Sequence, residues 1–110
     1  MALAGYFTVF ATSFTNDKPD GVAILENDKI RIVTNDEWQY KWFVQSFAKD
    51  SPFREKYIKS GAPIQSMVTG YTPVLTFGDP ASPDGKKAIQ AALNVLLPAK
   101  YDEIVYDASK

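Results

Sequence analysis

The sequence contains neither cysteine nor histidine. Without cysteine there is no disulfide framework, no thiolate nucleophile and no thiol redox chemistry. Without either residue the usual side-chain ligands for transition metals are missing, so no metal or other cofactor is expected. An excess of charge is missing too: 12 Lys and Arg stand against 13 Asp and Glu, for a formal net charge of −1. Such a chain projects no field that would draw in a polyanion, which argues against non-specific binding to nucleic acid or to an anionic membrane. No apolar run approaches the roughly 18 residues that a spanning helix needs, and no Asn-x-Ser/Thr acceptor occurs. The apolar stretch from Met1 to Phe14 lacks a basic leader and is interrupted by Thr8, Thr12 and Ser13, so it reads as a first strand rather than a signal peptide. A cytoplasmic protein is the expectation.

What the chain does have is aromatic rings. Seven Phe, six Tyr and two Trp make up 14% of its 110 residues. Each ring removes a large area from water when buried, so a core of one domain, residues 1–110, can form without a covalent or metal staple.

Tyr6 to Phe14 is rich in aromatic and β-branched residues and ends in Thr15-Asn16-Asp17-Lys18-Pro19-Asp20-Gly21, a cluster of turn formers. Its apolar residues fall on both sides, as in a strand covered on both faces and central in its sheet. Val22 to Glu26 and Lys29 to Thr34 follow, joined by Asn27-Asp28, a pair that tolerates the left-handed backbone of a two-residue hairpin turn. Thr34 and Glu37 have the spacing of a capping box, with Val33 and Trp38 as a hydrophobic staple, and predict a helix running to about Lys49. A break near Asp50 and a second helix from Ser51-Pro52 to Ser60-Gly61 complete this part.

Ile64 to Phe77 reads as one bulged strand or as a hairpin turning at Gly70-Tyr71, with Pro73 favouring a sheet edge. Ser82-Pro83 opens a further helix, whose apolar face is Ala88, Ile89, Ala92, Leu93, Leu96 and Leu97 and which Pro98 stops. Tyr101 to Tyr106 reads as a last short strand in preference to a docked tail. The predicted fold class is α+β: a two-layer sandwich with a mainly antiparallel sheet of four to six strands and two or three helices packed on one face.

Two segments have the outline of ligand-binding motifs and lack the residues. Asn16 to Asn27 places Asp20-Gly21 as a calcium loop would, but Lys18 holds a ligand position and Glu26 falls one residue short of the bidentate place. Val74 to Lys87 has the strand–loop–helix order of a phosphate loop, but residues 79–84 make the loop too long, and Lys87 replaces the hydroxyl that would hold magnesium. Asp79 and Asp84 would also repel phosphate. The carboxylates Asp36, Glu37, Glu55, Asp79, Asp84, Asp102, Glu103 and Asp107 lie mostly at helix starts and turns, where capping accounts for them, and no catalytic residue is assigned.

Residues 38–59 interleave Trp38, Tyr40, Trp42, Phe43, Phe47, Phe53 and Tyr57 with Lys41, Lys49, Arg54, Lys56 and Lys59. Single-stranded nucleic-acid binders use such a pattern, but the near-neutral chain weakens the electrostatic attraction on which they depend. At roughly 100° per residue, Tyr40, Phe43, Val44 and Phe47 share one helical face, while Trp38 and Trp42 lie nearly opposite with Gln45 and Lys49. Trp38, Trp42, Gln45 and Lys49 are therefore the candidate interaction surface, since tryptophan is enriched where proteins meet. The expected function is a small non-enzymatic binding or assembly module that forms a homo-oligomer or holds a protein partner. Two alternatives remain: a ligand-binding or metal-independent enzyme domain with an aromatic-lined pocket, and a viral structural or host-interaction protein.

Overall fold

Three strands follow one another as an antiparallel meander: β1 (Tyr6–Phe10), β2 (Gly21–Glu26) and β3 (Lys29–Thr34). The computed structural model describes residues 5–11, 18–48, 51, 54 and 74–108. The β2–β3 hairpin turns at the expected pair, with φ of 55° at Asn27 and 62° at Asp28, the left-handed conformation required at both central positions of a type I′ turn. Glu26 opposite Lys29 fixes the register from there to Gly21 opposite Thr34. At the other end Asp20 locks the meander. Its amide donates to the Phe10 carbonyl (2.9 Å), and its own carbonyl accepts from the Asn35 amide (3.0 Å) and the Thr34 hydroxyl (2.9 Å).

The meander is then widened on both sides by distant segments. β4 (Val74–Gly78) pairs with β1 and β5 (Tyr101–Asp107) with β3, giving an antiparallel sheet in the order β4-β1-β2-β3-β5. β1 is thus interior, as its two-sided apolar pattern implies, and the last strand exists as predicted. Among the described residues β4 is the outermost strand on the β1 side, and Pro73 lies outside them. Whether residues 64–73 continue it as a bulged strand or form a hairpin lies outside the described residues, as does the helix expected after Pro52.

Among the described residues two helices pack against the sheet, α1 (Glu37–Ser46) and α2 (Pro83–Leu96), and the expected α+β sandwich is what the chain forms. They do not share one face, however. Phe10, Ala23, Leu25, Ile30 and Ile32 point to the side where Phe43 and Phe47 of α1 cover them, while Phe7, Val9, Val22, Ile24 and Val33 point to the side where Ala92 and Leu96 of α2 do so. The physical reason is the strand period of two: β1, β2 and β3 carry apolar residues at successive positions, and such strands need cover on both sides. Each fully buried large apolar side chain contributes about 1.5–3 kcal/mol, and the described part of each core holds several, so both helices are needed. The radius of gyration, 12.7 Å, fits the ~13 Å expected of one domain of ~100 residues.

The start of α1 differs from expectation by two residues. Asp36, not Thr34, is the N-cap, its carboxylate accepting from the amides of Trp38 (2.9 Å) and Gln39 (3.3 Å). The Thr34 hydroxyl is already engaged, donating to Asp20 and accepting from the Asp36 amide (3.0 Å), so it holds the strand end instead. The Val33–Trp38 staple is not made either: Val33 is buried in the α2 core, on the opposite side of the sheet from α1. α1 closes at Phe47, three residues before the break expected near Asp50. α2 begins as predicted, with the Ser82 hydroxyl accepting from the Gly85 amide (2.9 Å) and Pro83 in the first turn. Its stripe is buried at Ala92 and Leu96 and half-buried at Ala88, Ile89 and Leu93, whereas Leu97, the C-cap, turns out to solvent.

Candidate functional site

Phe43 and Phe47 set the orientation of α1. Their rings lie 6.4 Å apart and nearly parallel, and Phe43 also stacks on Phe10 of β1 at 6.0 Å. One flank is fastened to β5 by Tyr40, whose ring stacks on Tyr101 at 4.1 Å and whose hydroxyl donates to the Glu103 carboxylate. That hydrogen bond, with some burial and the nearby carboxylate charge, holds the Tyr40 phenol above the ordinary tyrosine range. With these residues turned inward, helical spacing carries Trp38, Lys41, Trp42 and Gln45 outward.

The outward side is open. Trp38 is 69% exposed and Trp42 46%, and Gln45 is exposed; Val44, expected on the packed face with Phe43 and Phe47, is 40% exposed as well. Lys41 bonds Glu37 one turn back at 3.0 Å, so the two charges on this surface neutralise each other. Three of the four candidate residues, Trp38, Trp42 and Gln45, are therefore together on solvent-exposed α1, and Lys49 lies outside the described residues. Tyr40, Phe43 and Phe47 belong to the packed side, which leaves the tryptophans as the free aromatics of α1. Arg54 places its guanidinium 4.4 Å above the ring of Tyr106, a cation–π contact within the protein.

Most of the described carboxylates have a local structural task. Asp36 caps α1 and Glu37 holds Lys41. Asp79 accepts from the Ala81 amide at 2.8 Å, and Asp84 occupies the first turn of α2. Asp102 takes both ends of the Arg31 guanidinium, at 2.7 and 2.8 Å, and Asp107 lies 3.9 Å from Lys29. Glu103 receives Tyr40, and Glu55 lies outside the described residues. The loop before α2 also has its amides in use: Ser82 donates to the Asp79 carbonyl at 3.2 Å and Gly85 to Ser82, the wiring of a capped helix rather than a phosphate cradle. Of the calcium-like segment, residues 21–26 form strand β2, and Asn16 and Asp17 lie outside the described residues. Among the described residues no three carboxylates gather as a metal centre requires, and no helix is long and apolar enough to cross a membrane.

A second surface has no local signature in the sequence. α2 packs against β1, β2 and β3, where Val33 is buried, while on the same face Ile104 of β5 is 54% exposed. A groove of about 370 Å³ runs between Lys86, Ile89, Gln90 and Leu93 of α2 and Ile24, Glu26 and Arg31 of the sheet. It shares its sheet wall with a shallower one of about 240 Å³ that reaches Lys29 and Ile104. Neither is lined by an aromatic residue, so neither is the aromatic pocket that the ligand-binding alternative calls for.

Comparison with protein families, curated proteins and solved structures finds no match for this chain. The functional reading therefore rests on geometry.

Proposed function

We propose that this protein is a small, non-enzymatic assembly module that self-associates through the outward side of α1. The observation that carries the reading is the exposure of Trp38 and Trp42, 69% and 46%, one turn apart on a helix whose Phe43 and Phe47 are buried in the core on its other side. Leaving two such rings in water forgoes burial that an interface would recover, and tryptophan anchors are characteristic of interface hot spots. A second copy suits this surface because its charges, Glu37 and Lys41, cancel locally, and because two chains of net charge −1 meet with little mutual repulsion. Helix-to-helix contact between two copies would be isologous, the commonest arrangement of soluble dimers.

Light scattering across a concentration series, together with thermal melts, tests the proposal on wild type and on Trp42→Ala. The expected result is a wild-type species larger than 12.2 kDa that dissociates in the variant, with only a modest change in the stability of the folded unit. A Trp42→Ala protein destabilised by about 3 kcal/mol or more, as for a core truncation, yet assembling like wild type, would refute the interface. A wild type that stays monomeric at every concentration would refute self-association.

A further inference from the structure

We draw no further inference here: the strongest candidate, the open groove between α2 and the β3–β5 side of the sheet, where Ile24, Ile89 and Leu93 lie between the exposed charges of Glu26 and Lys86, is a half-apolar surface and nothing in the structure shows what covers it.

Discussion

Phe10 lies across the α-carbon of Gly21, its antiparallel partner, so closely that a methyl group there would fall 2.2 Å from Cζ of the ring and 2.5 Å from Cε2. The glycine is a seat for the ring, which in turn stacks on Phe43 of α1. Gly21→Ala is expected to cost about 1–3 kcal/mol, the usual range for overpacking. Chemical denaturation of Gly21→Ala, Phe10→Leu and the double variant checks this. The alanine should cost clearly less once the ring is gone, because the two residues share one clash.

Gly85 reverses the ordinary rule for helices. It sits in the first turn of α2, where alanine would normally improve helix stability by about 1 kcal/mol. A Cβ at this position would lie 1.9 Å from the Asp79 carbonyl oxygen and 2.8 Å from the Ser82 hydroxyl. The closest obstacle is backbone, which cannot swing aside as a ring can. Gly85→Ala should therefore destabilise, and by more than Gly21→Ala. Thermal melts of the two variants under one condition give the order.

The hydroxyl of Thr8 is fully buried on the α1 side of the sheet and finds no hydrogen-bond partner among the described residues. Stranding a polar atom in this way costs about 1–3 kcal/mol. Thr8→Val keeps the β-branched shape and removes the hydroxyl, and an increase in stability of about 1 kcal/mol is expected. Equilibrium unfolding in urea measures it, and a loss would mean that the hydroxyl has a partner.

The hydrogen bond from Arg31 holds the Asp102 carboxyl below its ordinary range, with burial opposing and the attraction of opposite charges adding. Folded Asp102 thus releases its proton more readily than unfolded Asp102. The pair's contribution is complete above the unfolded value near ~3.9 and is lost as the pH falls through the lower folded value. The side chains are 39% and 36% exposed, so solvent screening limits the effect to about 1 kcal/mol or less. Unfolding free energies of wild type and Asp102→Asn should differ most near neutral pH and converge toward pH 2.

What could be read from the sequence was what neighbouring residues decide. The left-handed pair Asn27-Asp28, the Ser82-Pro83 start and the apolar stripe of α2 each act within a few positions, and each appears in place. The cap of α1 was displaced because Thr34 had a competing partner in Asp20, fourteen residues earlier in the chain, which no local pattern reveals. The two-sided strand pattern showed in β1, yet the division of the helices between the faces also depended on β2 and β3 sharing it. At the candidate site the helical period separated the tryptophans from Phe43 and Phe47. The groove beside α2 has no local sequence pattern because its walls come from β2, β3 and a helix some fifty residues on, and Tyr40 and Glu103 likewise meet only through the pairing of β5 with β3.

The order β4-β1-β2-β3-β5 also carries a timetable. The meander of residues 6–34 can close from local turns, but both of its outer strands receive their partners from residues 74–78 and 101–107. A ribosome adding ~5–20 residues per second takes roughly 4–15 s to travel from Thr34 to the end of β5. During that interval the amides and carbonyls along the free side of β3 have only water to bond. A newly made chain therefore passes through a period in which the outer strands of its meander present open edges, the feature through which strands pair with other chains.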